Sequence, residues 1–168
     1  FQYAGMSFVD FAHLKERNIK NGILDYNRQK TGTPMRLEIL DTAELMRKEL
    51  MGDKKPASGY LFPFLSGTKT GYEAYLEYNA ALSRFNRNLK ALKKAAGIAS
   101  DVTSYTIRHS FAMALKEQNV PIEMISELLG HKSIKTTQIY LRSFSLEKMT
   151  EVNSTCFGCV YNYVSKVG

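Results

Sequence analysis

Tryptophan is absent from this chain, and cysteine occurs only twice, as Cys156 and Cys159 in a single C-x-x-C near the C-terminus. Two thiols make no disulfide framework, and a zinc site built on them would need histidines from elsewhere, so they read as packed or exposed thiols. Nowhere do eighteen apolar residues follow one another, and the N-terminus lacks the charged, apolar and small-residue sections of a signal peptide. The expectation is a cytoplasmic protein with no membrane partner. There is no internal repeat, low-complexity tract or obvious linker, which favours one domain over residues 1–168. No P-loop and no carboxylate cluster is present, so neither a nucleotide nor a metal cofactor is expected.

What the chain does have is core material and positive charge. With 168 residues, 44% of them hydrophobic, it can bury a core without staples. The excess of 23 Lys and Arg over 16 Asp and Glu leaves a formal charge of +7. That balance favours a polyanionic partner, nucleic acid or an anionic membrane surface, without choosing between them.

Phe1 to Ser7 reads as the middle of an apolar helix, as though the chain began inside a longer protein. Phe8, Val9, Phe11, Ala12 and Leu14 suit a short buried helix ending before Lys15. Ile19 to Arg28 and Met35 to Ile39 carry strand patterning on either side of Gln29, Lys30, Thr31 and Gly32, which predicts a β-hairpin with Lys30 near its tip. Asp41 or Thr42 caps a helix to about Met51, and an irregular loop from Gly52 to Gly71 holds an apolar knot at Tyr60 to Leu65. A long helix from Tyr72 to about Ala96 stops at Gly97 and carries Arg84, Arg87, Lys90, Lys93 and Lys94 at steps of three or so. Those cations fit a solvated face as well as a phosphate-contacting one. Ile107, Phe111, Ala114 and Leu115 form one further stripe; Ile122, Ile125, Leu128 and Leu129, opened by Pro121 and closed by Gly130, form another. Ser133 caps a last helix bearing Tyr140. The fold class is α+β, mainly helical, with a small antiparallel sheet.

Four pieces of sequence then stand in order. Gly5 to Asp10 comes first and the Lys30 hairpin second; Tyr105, Arg108 and His109 come third; Leu128, Leu129, Gly130 and His131, with Tyr140 nine residues on, come last. Together they resemble the signature boxes of the tyrosine recombinase (phage integrase) family, over nearly the whole chain. The resemblance implies the family's catalytic fold, double-stranded DNA as partner, and DNA integration or recombination by strand cleavage and rejoining.

The residue types suit that chemistry. A phosphodiester repels nucleophiles, so its cleavage needs cations aimed at the transition state. Arg108 offers two parallel hydrogen bonds to non-bridging oxygens. Tyr140 is the expected nucleophile, a phenol that needs a proton acceptor and nearby positive charge. His131 either donates to a phosphate oxygen or trades a proton with Tyr140. The family's use of its hairpin lysine implies that Lys30 protonates the leaving 5′-oxygen. Arg84, Arg87, Lys90, Lys132 and Lys135 are candidate DNA contacts. His109, about 100° around its helix from Arg108, and His13 read as structural residues.

Two positions depart from the family pattern. Ser7 stands where an arginine is usual, so Arg28, Arg36 or Arg142 fills the place or turnover is slow; this serine resembles integrases of Bacteroides-type mobile elements. Tyr105 stands where histidine is usual and keeps a hydroxyl for phosphate. In the family a second, N-terminal domain completes a clamp around DNA, and the apolar tail with Phe144, Leu146, Met149, Phe157, Val160 and Tyr163 often packs in trans. A homotetramer on DNA and a monomeric isolated domain are therefore expected. Two rival readings stay open: a non-catalytic helix-turn-helix over Ile122 to Leu141, and a degenerate recombinase that binds without cutting.

Overall fold

A computed structural model describes residues 3–51, 59–141, 149, 150 and 154. Its described elements run α1 (Phe8–His13), a 3-10 turn (Glu16–Asn18), β1 (Ile19–Lys20), β2 (Ile23–Asn27), β3 (Pro34–Glu38), α2 (Asp41–Met51), α3 (Gly71–Ala95), α4 (Ser104–Glu117), α5 (Ile122–Leu128) and α6 (Ile134–Tyr140). The mainly helical α+β expectation holds.

The sheet is antiparallel, ordered β1-β2-β3, with Leu24 opposite Leu37 and Tyr26 opposite Met35. Side chains alternate across a strand, so Leu24 and Tyr26 turn inward while Asp25 and Asn27 face solvent. Two differences from the expected hairpin have local causes. The segment Ile19 to Arg28 is two strands, because Asn21 and Gly22 both take positive φ and reverse the chain between them. Residues 3–7 form turns and extended chain instead of a helix, with Ala4 and Gly5 at φ of 48° and 59°.

The helices follow their signals closely. Thr103 and Thr106 cap α4 reciprocally, each hydroxyl accepting from the other's backbone N–H at 3.2 and 2.7 Å. Ser133 caps α6 by accepting from Lys135 N. One core joins α1, the apolar knot and α3 through Phe8, Ala12, Tyr60, Leu65 and Ala81. A second lies on the sheet around Leu14, Leu24, Tyr26, Met35 and Leu61. The third, around Ala112, Ile125 and Leu129, packs α4 against α5 with Tyr140 at its margin. His13 is structural as expected: its Nδ1 is 2.7 Å from the Val9 carbonyl, and its ring leans on Tyr60 and Tyr78.

Candidate active site

Arg28 follows Tyr26 by two residues, so the alternation of β2 sends it inward, where a lone guanidinium would be costly. Asp10, from α1 and only 2% exposed, compensates it: Arg28 Nε donates to Asp10 Oδ2 at 3.3 Å. The same carboxylate accepts from Ser7 Oγ at 2.5 Å and from Gln29 N at 2.7 Å, which ties α1 to the start of the hairpin turn. Arg28 Nη1 then reaches across to the Gly130 carbonyl at 2.8 Å.

Arg108 arrives at the same turn from α4. Its Nη1 donates to Gly5 O at 2.9 Å and its Nη2 to Leu129 O. Two buried guanidiniums thus flank the α5–α6 turn. Each has five N–H donors and spends two on these bonds, so among the described residues three remain on each. Burial first, and then Arg28, press the Arg108 pKa down, yet a guanidinium stays protonated in proteins.

Both turns that supply these carbonyls require glycine. Gly130 has φ of 61°, and a Cβ there would meet Met35 Sδ at 2.5 Å and Arg28 Cδ at 2.6 Å. Gly5 has φ of 59°, and its Cβ would meet Phe111 at 2.7 Å.

His131 comes next in the chain, its Nδ1 2.9 Å from Thr137 Oγ1. Burial, then Arg108 and Arg28, lower its pKa to about 4, so the ring is neutral at pH 7. Tyr140 closes α6 inside a ring of aromatic edges: His109 at 5.0 Å, Tyr105 at 5.6 Å and His131 at 5.8 Å between centroids, all T-shaped. Its hydroxyl is buried, and no hydrogen bond reaches it among the described residues. Burial and then Tyr105 push its pKa up to about 12, with Arg108 opposing them. A phenol can both donate and accept, so this hydroxyl can meet an incoming phosphate or base.

The expected site residues therefore divide. Arg108, His131, Tyr140 and Tyr105 converge. Lys30 lies exposed in the hairpin turn, two residues past Arg28, and no contact joins it to the cluster among the described residues. Arg84, Arg87, Lys90, Lys132 and Lys135 are all exposed, the last two flanking the start of α6. Of the three cations considered for the Ser7 place, Arg28 is at the site, Arg36 is exposed on β3, and Arg142 lies outside the described residues. Cys156, Cys159 and the tail residues Phe144, Leu146, Phe157, Val160 and Tyr163 also lie outside them; Met149 is exposed.

His109, expected to be structural, packs edge-on against Tyr140. Tyr105, Arg108 and His109 stand at i, i+3 and i+4, one face of α4, so His109 meets Tyr140 instead of turning away from the site. Asp10 and Thr137 drew no attention as sequence. An acid closing the Gly5 to Asp10 box, together with an arginine two residues beyond Tyr26 and so inward on β2, is the readable signal for the first; nothing marks the second.

Comparison with known proteins adds to this geometry. A family model described as the Phage integrase family matches residues 3–147. Tyrosine recombinase XerD of Lacticaseibacillus casei is 52% identical over 54 residues, 32% of this chain and 18% of that protein. The XerA recombinase crystal structure superposes with a TM-score of 0.67 at 23% identity, covering 92% of this chain and 54% of that one. The Tn1549 transposon integrase in complex with a circular intermediate DNA gives 0.63 at 16% identity, covering 91% and 55%. These two likenesses show the fold. The chain spans about a fifth of the length of the curated relatives it matches, 18% and 24% for two of them.

Proposed function

Because the chain belongs to the phage integrase family, with its family match running over residues 3–147, we propose that it is the catalytic domain of a tyrosine-type site-specific recombinase. It cleaves and rejoins double-stranded DNA through a 3′-phosphotyrosyl intermediate on Tyr140. The observation that carries this reading is the convergence of Arg28, Arg108, His131 and Tyr140 on the turn at Leu129 and Gly130.

In the forward step Tyr140 Oη bonds to phosphorus and the bond to the 5′-oxygen breaks. The phenolic proton passes to solvent or to a non-bridging oxygen of the phosphate, and Lys30 gives a proton to the departing 5′-oxygen, which leaves as the 5′-hydroxyl. The Arg108 and Arg28 guanidiniums, held in place before DNA arrives, carry the charge of the pentavalent transition state without reorganising. Arg28 fills the place that Ser7 leaves without a charge. The Tyr105 hydroxyl adds a further donor to phosphate. Because the tyrosyl ester conserves the energy of the broken linkage, a second DNA hydroxyl reverses the step with no nucleotide and no metal.

In this reading Arg84, Arg87, Lys90, Lys132 and Lys135 contact the DNA backbone. An N-terminal domain on a longer protein completes the clamp, and the apolar tail links copies into a tetramer on DNA in the cytoplasm. Ser7 favours a recombinase of the Bacteroides mobile-element type.

A pool of nicked duplexes of randomised sequence tests the proposal. The wild-type chain forms a protein–DNA adduct that survives denaturation, and Tyr140→Phe forms none. A chain that binds the pool with equal affinity in both forms and never yields an adduct is instead a DNA-binding helix-turn-helix or a degenerate recombinase.

A further inference from the structure

Thr137 is 0% exposed, and its hydroxyl has one partner among the described residues, Nδ1 of His131 at 2.9 Å. Two proton arrangements satisfy that distance. If the imidazole Nδ1–H donates to Thr137 Oγ1, the threonine O–H is left buried with no acceptor. If Thr137 donates to an unprotonated Nδ1, the buried threonine hydrogen is satisfied and the ring proton sits on Nε2, which is not among the buried polar atoms left without a partner in the described residues. An unsatisfied buried donor is destabilising, so the second arrangement prevails.

We propose that Thr137 is a positioning residue that donates its hydrogen bond to His131 Nδ1, fixes the Nε2–H tautomer and couples the ring to the helix carrying Tyr140. The inference rests on the phosphoryl-transfer reading of the same site and sharpens it. His131 then presents a donor to a non-bridging phosphate oxygen and is not the acceptor of the Tyr140 proton. The link is short in sequence: Thr137 is three residues before Tyr140, one turn down α6. Any shift of the nucleophile's helix therefore moves the imidazole with it.

The other charged or titratable groups around His131 are Arg108 from α4, Arg28 from the hairpin and Tyr140 from α6. None of them changes in the substitutions Thr137→Val, which keeps the branched shape without the hydroxyl, and Thr137→Ser, which keeps the hydroxyl. A bond donated to Nδ1 is possible only for the neutral ring, because both nitrogens carry protons in the cation. Its removal in Thr137→Val therefore raises the His131 pKa by about one pH unit, and Thr137→Ser leaves it near the wild-type value. Side-chain ¹⁵N NMR of the full chain at pH 7 shows the proton on Nε2 in the wild type and in Thr137→Ser.

A wild-type ring protonated on Nδ1 overturns the proposal, and so does a His131 pKa that falls or stays put in Thr137→Val. Both readouts are taken without DNA, so they stand or fall separately from adduct formation. If the wild type does form an adduct on the nicked pool, Thr137→Val slows it about 10- to 100-fold, by analogy with the loss of partners that orient metal-bound imidazoles. Thr137→Ser restores the rate, and equal rates in wild type and Thr137→Val contradict the positioning role.

Discussion

Arg28 and Arg108 are sunk into the protein, 9% and 7% exposed, and are bonded to carbonyls on the turns that build the site. Lys30, Lys132, Lys135, Arg84, Arg87 and Lys90 stand in solvent. The buried pair carries its desolvation in the folded protein and is oriented in advance, which is what transition-state stabilisation requires. The exposed set keeps its hydration and side-chain freedom until an anion arrives, which suits attraction and anchoring. In the proposed reaction, position more than charge separates the cations that hold transition-state charge from those that anchor DNA, with Lys30, an exposed lysine given the part of an acid, as the exception.

The sharpest way to break this division is Arg108→Ala. Losing an arginine that holds transition-state charge lowers adduct formation by about 10³-fold or more, with DNA affinity far less affected; comparable losses in rate and affinity would put Arg108 among the binding cations. Arg28→Ala follows. It leaves Asp10 buried without its cation, and because Ser7 and Gln29 still bond that carboxylate, the loss falls near the lower end of the range for broken buried pairs, about 3 kcal/mol in urea unfolding. Arg36→Ala, on the exposed side of β3, changes stability by less than about 0.5 kcal/mol.

The pH dependence sharpens the comparison from another side. The folded His131 pKa, about 4, lies below the ordinary imidazole value of 6.5 because the ring is buried beside two guanidiniums. Between those values the unfolded chain binds the extra proton, so this contribution is present above about pH 6.5 and is lost as pH falls through about 4. His131→Gln removes that part of the slope in urea unfolding followed from pH 7 to pH 4. The smallest effect belongs to the exposed set: Lys90→Ala reduces the log–log salt slope of DNA binding by about 0.9 and leaves the cleavage rate of bound DNA unchanged.

Much of this is legible in the sequence alone. The helix stops at Gly97 and Gly130, the hairpin tip at Lys30 and the spacing from His131 to Tyr140 are local signals, and the structure keeps them. The buried half of the site was harder, because it is assembled by long-range partners. Arg28 and Arg36 looked alike as sequence; the strand alternation that sends the first inward meets its reward only in Asp10, eighteen residues away. Residues 3–7 are apolar enough for a helix, yet Gly5 is turned into positive φ to offer its carbonyl to Arg108, 103 residues on. The contact of His109 with Tyr140 is not visible from α4 alone, since its neighbour is on α6.

The central claim is that the Tyr140 oxygen forms the bond to phosphorus while the buried arginines hold the charge. Protease digestion and mass spectrometry of the adduct from the nicked pool measure it directly. The account predicts a nucleotide 3′-phosphate attached to the peptide containing Tyr140, with a free 5′-hydroxyl on the released strand. A nucleotide found on any other residue, or cut DNA ending in a free 3′-phosphate without a protein-linked stage, would contradict it.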